Sequence, residues 1–256
     1  MRTCPNHGTI VSPADIEAIE RATVAAISPQ AIEEVDGWLL AFDTGTVNRA
    51  KCAVPLRHAA PDVAVLPAIE ARYAGRGMPA LFRIPDSPVF DALRAAIAGR
   101  GYGAGRPTLV QVAAAATVLR VASPASVELA TAPDASWAAV FLGAGFDPVD
   151  GASRVQALGR TPGSLYASVR EGGRAIAAGV GAFGHGWASV HGMRTEQARR
   201  GEGLAARVLA ALAAAALERG AERMFLQVEA GNPPALALYR RAGFATAWAY
   251  EYWQRA

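Results

Sequence analysis

The sharpest chemical signal in this 256-residue chain is the run Met193-Arg-Thr-Glu-Gln-Ala-Arg-Arg200-Gly-Glu-Gly203-Leu-Ala205, which passes from a strand-like pattern into a long helical one. The spacing Arg200-x-x-Gly203-x-Ala205 supplies what an anion needs. Small residues let backbone N–H groups turn toward a phosphate, the helix start adds unpaired donors and a positive dipole end, and an arginine stands alongside. The bland alternative is a helix capped by a glycine turn. A second stretch, Asn232-Pro-Pro-Ala-Leu-Ala-Leu238-Tyr239-Arg-Arg-Ala-Gly243-Phe244, follows at a distance that fits one more strand and turn.

Composition narrows the chemistry further. Hydrophobic residues make up 52% and charged residues 18%, enough to bury a substantial core and too apolar for disorder. Two cysteines, Cys4 and Cys52, and four histidines give no disulfide framework and too few soft ligands for a zinc or iron–sulfur centre, so no metal is expected. A net charge of +3 rests almost wholly on arginine, spread through both halves without a base-reading motif, which argues against nucleic acid. Residues 1–10 lack the apolar run of a signal peptide. The longest apolar stretch, 208–217, is too short to cross a bilayer, so a cytoplasmic protein with no membrane partner is expected.

The elements that must position these residues follow from periodicity and punctuation. In the first half a helix is expected over 13–27 after an N-cap at Ser12. Strands over 38–42 and 47–54, joined at Asp43-Thr-Gly, come next. They lead to a helix over 65–73, a strand over 80–84, a helix over 87–98 and a strand over 108–112. The chain restarts near 121–125. A strand over 127–130 and a helix capped by Asp134 precede strands over 164–170, 175–183 and 187–193. The long helix over 203–219, a strand over 223–228, a helix over 234–241 and a strand over 245–253 complete the order. Both halves close on a similar phrase: Leu81-Phe-Arg-Ile84, a helix and Gly101-Tyr102, against Phe225-Leu-Gln-Val228, a helix and Gly243-Phe244. Such a repeat points to duplication.

This order, with two motifs in sequence, resembles the GNAT family of N-acetyltransferases. Arg200-Gly-Glu-Gly203-Leu-Ala205 is similar to its R/Q-x-x-G-x-G/A motif, and the 232–244 segment to its N-x-x-A-x-x-L-Y-x-x-x-G-F segment. The resemblance covers about residues 127–254. It implies an α/β fold with a mixed central sheet flanked by helices, and two tandem GNAT-like halves: 1–122 degenerate, 123–256 catalytic. It also implies acetyl-CoA as cosubstrate and a primary amine as acceptor, most readily a small molecule. A protein amine, or a silent acetyl-CoA-binding module, are the rivals. A homodimer stays open.

By the same resemblance, Arg200, Gly201, Glu202, Gly203, Leu204 and Ala205 would cradle a pyrophosphate. Gly192, Met193, Arg194 and Thr195 would pair their backbone with the pantetheine arm, and Asn232 would touch that arm or orient the helix after it. Tyr239 would protonate the departing thiolate. Glu229 and His191 are the candidates to accept the amine proton, directly or through water. Each residue has a competing structural role as packing, cap or solvated surface. A covalent cysteine route has no support, because Cys52 lies in the other half without an evident base.

No R-x-x-G-x-A run precedes the 65–73 helix. Arg72-Tyr-Ala-Gly75-Arg-Gly77 fits the letters but leaves a helix instead of entering one, so the first half is not expected to bind acetyl-CoA. Its phrases Gly37-Trp-Leu-Leu40, Pro55-Leu56 and Gly77-Met-Pro79 resemble the amino-terminal halves of two-part bacterial GNAT proteins. It would then form a wall of the acceptor pocket, with Trp38, Asp43 and Arg49 as candidate contacts.

Overall fold

Strong local signals start most of the helices. Ser12 caps the first one: its Oγ accepts from the Asp15 N–H at 3.2 Å, and the Asp15 carboxylate accepts from the Ser12 N–H at 3.1 Å, a reciprocal pair that satisfies two otherwise orphaned donors. The computed structural model describes residues 11–59 and 61–255, and Cys4 lies outside the described residues. In chain order it contains α1 (Pro13–Ala25), β1 (Ala31–Val35), β2 (Trp38–Phe42), β3 (Ala53–Pro55), α2 (Leu66–Ala74), β4 (Phe82–Pro85), α3 (Asp91–Gly99) and β5 (Tyr102–Ala114). Next come the short α4 (Ala115–Val118), then β6 (Val127–Ala130), α5 (Ala135–Ala139), α6 (Pro148–Gly159), β7 (Leu165–Glu171), β8 (Arg174–Gly184) and β9 (Trp187–Thr195). The chain continues through α7 (Leu204–Glu218), β10 (Arg223–Glu229), α8 (Pro233–Arg241) and β11 (Ala245–Arg255).

Two local expectations need correction. The first hairpin joins β1 to β2 across Asp36 and Gly37, both at positive φ, as a tight two-residue turn requires. Asp43-Thr-Gly is not that turn, because the Asp43 carboxylate folds back to accept from the Gly45 N–H at 2.7 Å. The strand expected over 47–54 is a single 3-10 turn at Asn48–Ala50 followed by the three-residue β3. Val47 and Ala50 bury in one apolar cluster with Trp137, Phe141 and Leu158 of the other half, and that shared burial holds the turn.

Among the described residues the strands form one eleven-stranded mixed sheet in the order β1-β2-β3-β4-β11-β5-β10-β9-β8-β7-β6. Its centre is an exchange. Strand β11 lies antiparallel between β4 and β5, while β5 lies antiparallel between β11 and β10. The two closing phrases of the sequence therefore each send their final strand to pair with the other half. Parallel pairings β3–β4 and β9–β10 flank this centre on its two sides.

Alternation along the strands separates two covered faces. On one, α7 and α8 pack against Met224, Leu226 and Val228 of β10, and α2 and α3 against Phe82 and Ile84 of β4. On the other, α1 crosses the middle of the sheet, with Ile19 and Ala22 against Val110, Val112, Phe225 and Tyr250, while α5 and α6 cover β7 and β8. Helix α1 thus belongs to both halves. Beneath it, Glu20 and Arg83 form a fully buried ion pair, so a single helix carries both apolar and ionic contacts across the exchange.

Candidate active site

Strands β9 and β10 pair only from Ala188 to Val190 against Met224 to Leu226, and then diverge. The divergence has a local cause on β9. Its pairing with β8 runs Val180 to His191 and then Ala178 to Arg194, so Gly192 and Met193 face a single residue and the strand bulges. Gly192 sits at φ 58°, and a Cβ there would lie 2.7 Å from Leu158 Cδ1 and 3.2 Å from Phe141, so a larger residue would undo the bulge. Backbone groups of residues 191–195 on the β10 side are left facing a cleft of about 930 Å³.

At one end of this cleft stands the start of α7. Gly201 and Gly203 have φ values of +88° and +76°, and no atom lies within 4 Å of where a Cβ would be at either position. Gly203 is the N-cap, and no side chain caps the helix, so the first-turn N–H groups at Ala205 and Ala206 open onto the cleft. Arg200 lines it without a carboxylate partner among the described residues, 5.6 Å over the Phe146 ring. Arg194 lies 4.1 Å over the same ring and 3.6 Å from Asp150. Burial works to raise the Asp150 carboxyl, but hydrogen bonds from Arg154 and Thr46 leave it below its ordinary range. Glu202 does not line the cleft; its carboxylate binds Arg199 at 2.8 Å, beside the Arg199–Glu171 pair. Sequence reasoning missed Phe146 and Asp150, which belong to the start of an unforeseen α6 and the loop before it.

The remaining site residues fall on opposite sides of the sheet. Tyr239, on α8, shares the face of α7; it is 7% exposed, and its hydroxyl has no hydrogen-bond partner among the described residues although it borders the cleft. Burial pushes its pKa up to about 12, so it holds its proton. Asn232 caps α8, Oδ1 accepting from the Ala235 N–H at 3.3 Å, and Pro233 follows at the first helical position. On the α1 face lie His191, Gln227 and Glu229, the last two being alternate residues of β10 beyond the final pairing with β9. His191 is buried, its ring edge-on to Phe225 at 6.4 Å. Burial, assisted by the positive charge of Arg49, lowers its pKa to about 3.

The first half contributes to this side, through one of the three residues expected. Arg49 borders the cleft and donates to Gln227 Oε1 at 3.3 Å. Trp38 is buried edge-on against Phe82 at 6.2 Å, away from it. Asp43 is spent on Arg160 at 2.6 Å, a bond between the halves. Thr108 of β5 and Tyr250 and Tyr252 of β11 also line the cleft, unforeseen because only the strand exchange brings them there. At the start of the 3-10 turn before α2, the Asp62 carboxylate accepts from the Ala64 N–H at 2.9 Å, putting negative charge where α7 has only glycine.

A bulged strand, a splayed neighbour and an uncapped helix start on one cleft define an acetyltransferase architecture, and comparison with known proteins agrees. Residues 13–253 match the family model described as "Probable histone acetyltransferase Rv0428c C-terminal", and the chain belongs to that family, within the GNAT N-acetyltransferases. Among solved structures it is similar to a GCN5-related N-acetyltransferase from Kribbella flavida (17% identity, 97% of this chain and 96% of that one, TM-score 0.70). It is also similar to a GCN5-related N-acetyltransferase from Sphaerobacter thermophilus (16%, 95% and 93%, TM-score 0.56) and to a tandem GNAT protein from the clavulanic acid biosynthesis pathway (13%, 93% and 94%, TM-score 0.57). At these identities the likeness is one of fold. No curated protein matches the sequence. Among the described residues no helix is long and apolar enough to cross a membrane, and no group of three or more His, Cys, Asp or Glu is placed to hold a metal ion.

Proposed function

We propose that the protein transfers the acetyl group of acetyl-CoA directly to a primary amine of a small molecule. The observation that carries this reading is the α7 start, uncapped and flanked by Arg200, opening onto the same cleft as the free edge of β9. Acetyl-CoA fits both features: its pyrophosphate suits the α7 N–H groups and Arg200, and its pantetheine amides suit the backbone of Gly192 to Thr195. Bound there, it would supply an activated thioester carbonyl.

The residues then divide the work by face. Tyr239, on the α7 side, keeps a protonated hydroxyl free to donate to the departing thiolate. Glu229, exposed on the α1 side, takes the amine proton through water. His191 is too weak a base when buried for that task, and it positions water or the amine as a neutral ring. Small acceptors are favoured because Thr46 to Arg49 of the first half wall the α1 side of the cleft. The lining is also basic: seven arginines, among them Arg49, Arg194 and Arg200, stand against the two carboxylates of Asp150 and Glu229. A lysine-rich tail of the kind a histone presents would be repelled by this field, although the family description names a histone acetyltransferase.

Thiol release from acetyl-CoA, measured over a panel of small amines and lysine-containing peptides, tests the reading. Turnover is expected on small amines. Preference for peptides would replace the acceptor class, and acetyl-CoA binding without turnover on any amine would make the protein a silent binding module.

A further inference from the structure

Arg49 holds a cation in the acceptor side of the cleft with most of its donors unused. One Nη donates to Gln227 Oε1 at a long 3.3 Å, and Nε is buried without any acceptor. Among the described residues no carboxylate lies within 4.0 Å of its guanidinium, and the two buried acids, Glu20 and Asp43, are committed to Arg83 and Arg160. Gln227 cannot compensate. Its Oε1 already accepts from Tyr250 Oη at 2.9 Å, and its amide is fixed by donating from Nε2 to Thr23 Oγ1 at 2.9 Å. A buried guanidinium donor without a partner is destabilising, and a planar fork of donors suits a carboxylate.

Glu229 lies two residues beyond Gln227 on the same face of β10, about 7 Å along the strand. The acceptor side of one cleft therefore presents a cation from the first half and a carboxylate from β10, opposite charges suited to the two ends of a zwitterion. Resting on the acetyltransferase reading, we infer that the acceptor is an amino acid or short aminocarboxylic acid, its carboxylate held by Arg49 and its amine delivered beside Glu229. The first half of the chain would then select the substrate that the second half acetylates.

Paired acceptors test this: amino acids against their carboxamides, with thiol release from acetyl-CoA as readout. The wild-type protein should favour the acid at least tenfold in kcat/KM. Arg49→Gln should narrow that preference to within about twofold, and Arg49→Lys should retain part of it. A second arm needs no turnover: thermal shift with N-acetylamino acids against their amides, on wild type and on Arg49→Gln with its unliganded melting temperature checked. Equal use of acid and amide by the wild type, or a preference untouched by Arg49→Gln, overturns the carboxylate contact and leaves the transferase intact. If no amine releases thiol, the transferase reading fails, and the binding arm decides alone: N-acetylamino acids stabilising no better than their amides would overturn the Arg49 contact.

Discussion

His191 Nε2 lies 2.8 Å from Ser189 Oγ, and that hydroxyl donates onward to the Ala182 carbonyl at 3.2 Å. With its proton spent on Ala182, Ser189 accepts from Nε2–H, leaving the lone pair of a neutral ring on Nδ1. The pKa of about 3, against an ordinary 6.5, means that between these values the unfolded chain binds a proton that the folded chain refuses. The stabilisation is whole above pH 6.5 and is lost as pH falls through this window. Wild type should lose about 2 kcal/mol from this group between pH 7 and pH 5. Urea unfolding of His191→Gln should show a shallower fall, with the residue of the slope owed partly to His58, which burial and Arg83 lower to about 4. Equal slopes in both proteins would remove His191 as the cause.

The α7 start should be readable by ligand stabilisation. At a hundredfold excess over Kd, acetyl-CoA should stabilise the wild type by about 2.7 kcal/mol, roughly 5–10 °C in Tm. Gly203→Asp sets a carboxylate where the phosphates would lie and forces a side chain onto φ +76°. The shift should vanish while the far-UV spectrum stays native. A shift of undiminished size would relocate the phosphate site.

Tyr239→Phe removes a hydroxyl that bonds to nothing else among the described residues, so stability should change by less than about 0.5 kcal/mol. Turnover should fall by about 10²-fold with little change in acetyl-CoA affinity. Unaltered turnover on a reactive amine would reduce Tyr239 to a packing residue against Phe244, whose ring lies 5.9 Å away.

Strand exchange predicts joint unfolding. A fragment of residues 123–256 lacks β5, which separates β10 from β11, and should fail to give a dispersed NMR spectrum. The whole chain should melt in one calorimetric transition. Two resolved transitions, or a folded fragment, would show that 122/123 is a boundary in energy as well as in sequence.

Much of the site was legible because it is local. The 200–205 run shapes its own turn, and Asn232 and Pro233 start their own helix. Bulk residues such as Trp187 and Phe225 mark strands buried on both faces. What escaped was long-range or disguised. Strand β1 hides behind Glu33 and Glu34, which pair with arginines of α1, α2 and the turn after it. Helix α6 is broken up by Gly151 and Gly159, so its apolar pattern is faint. Arg49 reads as one solvated arginine among many, since only the burial of Val47 and Ala50 in the apolar cluster of the other half carries it to the cleft.

The exchanged strands also govern how the molecule comes together as it is made. Strand β4 emerges from the ribosome some 160 residues before β11, its partner. Until then the first half keeps a bare, hydrogen-bonding margin open to any passing chain. Synthesis of the second half is therefore also what closes the sheet of the first, and the cleft that Arg49, Thr108, Tyr250 and Tyr252 line together is complete only once the last strand has been made.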